Sequence, residues 1–273
     1  VHHLSWLSMR GESKRDYPAP IDEHSPWYKK YHYVEDYFAR IHTAMTRGKA
    51  SVRVGVIHPA ESYWISYGPN DQTGVLRESL EEGFRRLTEW LLFGLLDFDY
   101  ICESQLPVLY EAAADGKFHV GQMAYDVVVV PHLRTMRSTT RNRLLDFQRQ
   151  GGMVLWTGGR PEYLDAEPAG PEAFAFGRMI SFERAQLYQA LEPWRDLSLT
   201  DEKGELVWNM ISQMRQEQEE RWLFLAVGTR DLPEYQPNGR QLYLKVRGEF
   251  GVQQYDPLAG TQKWLHTEIR DGW

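Results

Sequence analysis

Tyr125-Asp126-Val127-Val128-Val129-Val130-Pro131, and after it Gly151-Gly152-Met153-Val154-Leu155-Trp156-Thr157-Gly158-Gly159-Arg160, decide the fold of this chain. Four consecutive valines closed by a proline form an apolar run too short for a helix, as expected of a strand buried on both faces of a parallel sheet. Ser138 offers an N-cap hydroxyl for a following helix. Leu144, Leu145 and Phe147 supply its apolar side, Gly151 and Gly152 stop it, and Met153 to Trp156 form the next buried strand. The whole reads as one βαβ unit.

Working outward, Val52, Val54, Val56 and Ile57 predict a strand ending at His58-Pro59. A polar loop from Ser66 to Gly74 follows, then a long helix marked by Leu76, Leu80, Phe84, Leu87, Leu91 and Leu95, and a further strand from Phe98 to Cys102. Strands alternating with helices favour a parallel sheet covered on both faces. The expected class is therefore α/β, flavodoxin-like in the manner of class I glutamine amidotransferases, over residues 51 to 193. On its amino side lies an extension, residues 1 to 50, with a charged loop and then a helix from Trp27 to Met45. The stripe Trp27, Tyr31, Val34, Tyr37, Phe38 and Ile41 on that helix is expected to pack on a neighbouring body. Residues 194 to 273 read as an antiparallel β segment, with candidate strands at 206–214, 222–227, 241–247 and 251–255. Turns are expected at Pro237-Asn238-Gly239 and at Asp256-Pro257-Leu258-Ala259-Gly260.

Charge and composition exclude several partners. A formal net charge of -7 over 273 residues, with no basic block, argues against nucleic acid or an anionic membrane. No apolar run approaches the ~20 residues of a membrane span. The single cysteine, Cys102, excludes an internal disulfide framework. No cofactor or metal is expected: the histidines, among them His2, His3, His24, His32, His42 and His58, lack ligand spacing, and the glycines of the 67–74 loop fit neither a dinucleotide nor a P-loop pattern. The start of the helix after that loop would suit only a weak anion site.

In an amidotransferase-like sheet the turn after the second strand of the βαβ unit is where a nucleophile would stand. Here that turn is Thr157-Gly158-Gly159-Arg160, without Cys or Ser. Gly-x-Ser-x-Gly is also absent. Cys102, followed by Glu103, stands at the carboxyl end of a strand, where open α/β sheets bind ligands. A buried structural cysteine is the favoured reading, because free cysteines are mostly buried; the alternative is a nucleophile assisted by Glu103 or His132. Trp208, Trp222 and Trp264 are read as core residues, with a carbohydrate-binding face as the alternative.

The segments His2-His3-Leu4-Ser5-Trp6, Gly11-Glu12-Ser13-Lys14-Arg15-Asp16-Tyr17-Pro18, Pro26-Trp27-Tyr28-Lys29-Lys30-Tyr31 and Tyr37-Phe38-Ala39-Arg40 resemble the end of the catalytic TIM barrel in large bacterial glycoside hydrolases of the α-L-rhamnosidase-like group. Val54-Gly55-Val56-Ile57-His58-Pro59 and the valine run are similar to strands of the amidotransferase-like domain that follows the barrel there and in β-galactosidases with a trimerisation domain. Tyr255-Asp256-Pro257 with Gly260 looks like the start of the β-rich region that comes next. The resemblance implies a fragment of a longer enzyme, holding a noncatalytic scaffold and association domain and lacking the two carboxylates of glycoside hydrolysis. It implies a carbohydrate substrate through the parent and homo-oligomerisation. It also places His3, Arg10 and Glu12 near the sugar in the intact parent, although Arg10, Glu12, Lys14, Arg15 and Asp16 read equally as a mutually paired charge network.

Overall fold

The computed structural model describes Glu23 and residues 25–228, 241–270, 272 and 273. The chain divides into two compact units, Val1–Arg47 with Phe250–Ile269, and Gly48–Glu249 with Arg270–Trp273. Each is taken by itself.

The larger unit is built on five parallel strands: β1 (Val54–Ile57), β2 (Phe98–Ile101), β3 (Val127–Val130), β4 (Met153–Thr157) and β5 (Arg178–Ile180), in the order β5-β4-β3-β1-β2. The valine run is wholly buried because both faces of β3 are covered. Val128 and Val130 point into one core with Val154, Trp156, Leu144 and Phe147. Val127 and Val129 point into the other with Leu87, Leu91, Leu187 and Leu191. Period-two alternation thus survives inside a continuous apolar run. Around this sheet stand α2 (Ala60–Trp64), α3 (Asn70–Phe93), α4 (Ser138–Arg149) and α5 (Arg184–Leu191), the label α1 being kept for the helix His32–Met45 of the smaller unit.

Four of the five strands match the apolar runs expected from sequence; β5 was not expected, because its Arg178-Met179-Ile180 is short and largely exposed at the sheet edge. The long helix starts earlier than the expected stripe from Leu76. The polar segment from Asn70 to Gly74 is already helical, since Pro69 ends the extended approach and Gly74 packs against Asn70. The Ser138 cap is a further correction. Ser138 is the first helical residue, Arg137 is the N-cap, and no side chain from the cap residue closes the turn.

After the α/β layer come β6 (Leu197–Asp201), β7 (Met210–Glu217), β8 (Glu220–Val227) and β9 (Leu242–Val246). β6 pairs with β9, and β7 pairs with β8 and with Lys49–Ala50, all antiparallel. Leu197, Leu199, Val207 and Met214 bury against Leu95, which follows the Gly94 C-cap of α3. Arg195 fastens the junction: its buried guanidinium donates to the carbonyls of Gly94 and Leu197. These strands therefore share the compact unit of the parallel sheet.

In the smaller unit, α1 and the short 3-10 turn Tyr28–Lys30 bury no residue. The aromatic stripe was expected to pack; Tyr31, Tyr37 and Ile41 are half-buried, while Trp27, Val34 and Phe38 lie exposed. Arg40 of α1 donates to the carbonyls of Pro257 and Leu258 in the turn of a hairpin, β10 (Gln253–Asp256) with β11 (Thr261–Trp264). That turn follows the expected Asp256-to-Gly260 reading: Asp256 accepts the N–H groups of Leu258 and Ala259, and Gly260 takes a positive φ of 67°. The Pro237-Asn238-Gly239 turn lies outside the described residues. No described helix is long and apolar enough to cross a membrane.

Candidate functional site

With the strand order β5-β4-β3-β1-β2, the connections reverse direction between β1 and β3, and the crevice outside their carboxyl ends is where such sheets take ligands. The chain's own side chains occupy it. Ser62 of α2, only 1% exposed, accepts the N–H groups of Arg134 (2.9 Å) and Thr135 (3.1 Å) through Oγ, and donates to the Thr135 carbonyl at 3.2 Å. Ser66 Oγ donates to the Ser62 carbonyl at 2.7 Å and receives Arg134 Nη1 at 3.1 Å. The segments leaving β1 and β3 are thus sewn together across the switch point.

A second layer of polar contacts joins the segment leaving β2. Glu103 is 3% exposed, and its Oε2 accepts the backbone N–H of Arg137 at 2.9 Å. Arg137 turns its guanidinium to Glu61 of α2, with Nε and Nη2 at 2.8 and 2.6 Å from Oε1. Asp165 Oδ1 accepts the Ser138 N–H at 2.9 Å. The free N–H groups at the start of α4 are therefore met by carboxyl groups from two distant segments, where the helix dipole favours negative charge. The two carboxyls differ electrostatically. The hydrogen bonds from Ser138 hold Asp165 below the usual carboxylate range. Burial raises Glu103 to about 7, against the opposing pull of the Arg137 N–H.

Cys102 was expected to be buried, and it is exposed. It directly follows Ile101, the last residue of β2. Its hydrogen bond is with Ser104 Oγ at 3.1 Å, while the Glu103 carboxyl faces Arg137. His132 is exposed beside Gly158, where a Cβ would come within 3.0 Å of the His132 Cβ. Gly158 and Gly159 have φ of 89° and 119°, so the turn after β4 needs glycine and carries no nucleophile. His58 packs edge-on to Phe84 and Tyr100, and burial lowers its pKa. His3, Arg10 and Glu12, with His2 and His24, lie outside the described residues.

The tryptophans divide. Trp208 meets Phe93 edge-on and lies under the Arg184 guanidinium, as expected of a packed residue, and Trp222 is half-buried on β8. Trp264 departs from the core reading: it stands 70% exposed on β11, because the hairpin exposes all four residues of that strand.

Among the described residues no group of three His, Cys, Asp or Glu could hold a metal ion. The partly open cleft lined by Arg53, Asp97, Asp196 and Met214 measures about 20 Å³, room for a single water. Small-molecule sites usually need about 300 Å³ or more; a more open hollow of about 420 Å³ in the smaller unit, lined by Tyr28, Lys29, Tyr31, His32 and Glu35, reaches that size. Glu61, Ser62, Thr135 and Arg137 carry no sequence signal for their cluster, because they meet across more than 70 residues of chain.

No protein-family model and no curated protein matches the chain. Among solved structures, the chain is similar to the rhamnosidase from Novosphingobium sp. PP1Y, with a TM-score of 0.62 and 14% identity, over 93% of this chain and 24% of that one. Weaker likenesses are to the exo-carrageenase GH42 from Bacteroides ovatus (TM-score 0.47, 9% identity, 78% of this chain and 27% of that) and the β-galactosidase from Rahnella sp. R3 (0.30, 16%, 65% and 24%). These neighbours are glycoside hydrolases, this chain spans about a quarter of each, and at such identities the likeness to the rhamnosidase is one of fold.

Proposed function

We propose that this chain is a noncatalytic scaffold and association portion of a carbohydrate-active glycoside hydrolase, built on a flavodoxin-like, amidotransferase-like domain at residues 51 to 193. The observation that carries the reading is the filled switch-point crevice: Ser62, Thr135, Arg137 and Glu61 bond one another where a ligand would otherwise enter. The strand order supports it, being the doubly wound order of flavodoxin-like sheets. The likeness to a quarter of a rhamnosidase supports the link to carbohydrate chemistry. The exposed aromatics of α1 give the chain an apolar surface for association. In the parent enzyme, His3, Arg10 and Glu12 are assigned to the neighbourhood of the sugar, on the resemblance alone.

The test is to incubate the purified chain with aryl α-L-rhamnosides and β-galactosides and to measure its mass in solution by light scattering. We expect no aryl release and a self-associated species. Release that resists further purification overturns the noncatalytic assignment, and a strictly monomeric mass overturns the association role.

The exposure of Cys102 favours one second reading, a cysteine hydrolase. It requires amide or ester hydrolysis that disappears in C102A. A chain inactive on such substrates, or one whose activity survives C102A, removes it.

A further inference from the structure

We propose that the hairpin of β10 and β11 carries a binding face for a neutral saccharide chain, formed by Trp264 and Tyr255 with Gln253 and Gln262. This face rests on the carbohydrate-active reading given above and adds a point of contact to it. The antiparallel register sets Gln253 opposite Trp264 and Tyr255 opposite Gln262. Since side chains alternate along each strand, these residues share one face, while Gln254, Asp256, Thr261 and Lys263 take the other. Tyr255 and Trp264 are diagonal neighbours, a relation that spaces residues about 7 to 8 Å apart. One short saccharide can therefore reach both rings.

Both rings are open to solvent, with Tyr255 53% and Trp264 70% exposed. Each is also held. The Tyr255 hydroxyl donates to Gln253 Oε1 at 3.0 Å, which fixes the end of that amide left to donate, and the indole lies beside Gly251, where a Cβ would come within 3.4 Å of Cζ3. The frame is tied at both ends: the Leu265 N–H donates to the Val252 carbonyl at 2.9 Å, and Arg40 donates to the turn carbonyls of Pro257 and Leu258. Side-chain chemistry selects the occupant. A pyranose presents C–H groups that pack on an aromatic ring and hydroxyls that pair with amides. No side chain of this face is charged, so it suits a neutral ligand rather than an ionic one. Its four side chains also fall well short of the about 800 Å² that each partner buries in a stable protein interface.

The test is affinity electrophoresis of the whole chain in native gels containing galactan, galactomannan, xyloglucan or arabinoxylan, with sulfated carrageenan as the anionic comparison. We expect at least one neutral polymer to retard the chain. W264A should weaken that affinity about tenfold, W264Y should recover most of it by keeping a ring, and K263A, on the opposite face, should leave it unchanged. Retardation that is absent with every neutral polymer, confined to carrageenan, or equal in W264A overturns the proposal. Absent retardation together with a lower mass for W264A than for the wild type assigns the face to a second copy of the chain, which overturns it too. Should W264A fail to fold, Q262A decides: weaker retardation supports the face, and unchanged retardation overturns it. Retardation requires neither catalysis nor self-association, so its failure strikes this face alone, whereas aryl release or a monomeric wild-type mass strikes the scaffold and association reading.

Discussion

Trp156→Phe is the substitution that most directly probes why the turn after β4 holds no nucleophile. The indole is fully buried, its Nε1 donates to the Phe176 carbonyl at 2.7 Å, and its ring meets Phe174 and Phe176 edge-on at centroid distances of 6.0 and 5.4 Å. Phenylalanine keeps much of the ring packing and removes the donor. The stranded Phe176 carbonyl costs about 1 to 3 kcal/mol, as a buried acceptor left unsatisfied. The volume lost from a close-packed core adds about 1 kcal/mol. The expected loss is therefore about 3 kcal/mol, read as a lower urea midpoint with an unchanged slope. The end of β4 sits in a packed corner, anchored by Trp156, and Gly158 and Gly159 carry the turn away without presenting a reactive side chain. A loss below about 1 kcal/mol would refute it, since the corner would then be loose enough to admit other uses.

Three further outcomes follow from the same contacts. Gly177→Ala should destabilise by about 3 kcal/mol or more in the same denaturation assay, because its φ is 71° and an added Cβ would sit 2.5 Å from Trp156 Nε1. Cys102, being exposed, should react with a disulfide reagent in native buffer as completely as in denaturant, and Cys102→Ala should change stability by no more than about 0.5 kcal/mol. Asp97 and Glu103 both have folded-state pKa values raised by burial, to about 6 and about 7. Their contribution to stability is therefore fully present below the ordinary carboxyl range and is lost as pH rises through 6 to 7. Thermal midpoints should fall between pH 5 and 8, and the double variant Asp97→Asn with Glu103→Gln should flatten that fall; an equal fall in the variant would contradict the assignment.

Legibility differed between fold and site for a physical reason. The valine run, the paired glycines and the long leucine stripe are local signals, and each became the strand, turn or helix it announced. β5 carried too short a run to read, and the α1 stripe announced a helix while its burial depended on a partner surface. Cys102 illustrates the limit: its type favours burial, but its place one residue beyond β2 left it exposed. The polar cluster at the carboxyl edge was invisible because Glu61, Glu103, Arg137 and Asp165 are ordinary surface residue types until the sheet brings four separate segments to one edge.

The amino-acid order alone determined an alternating strand and helix domain without a nucleophile in its central turn, since periodicity and glycine placement act over a few residues. Tertiary structure decided what fills the carboxyl edge and which acid is held near neutrality. Those outcomes depend on desolvation and on hydrogen bonds between residues that only folding makes neighbours.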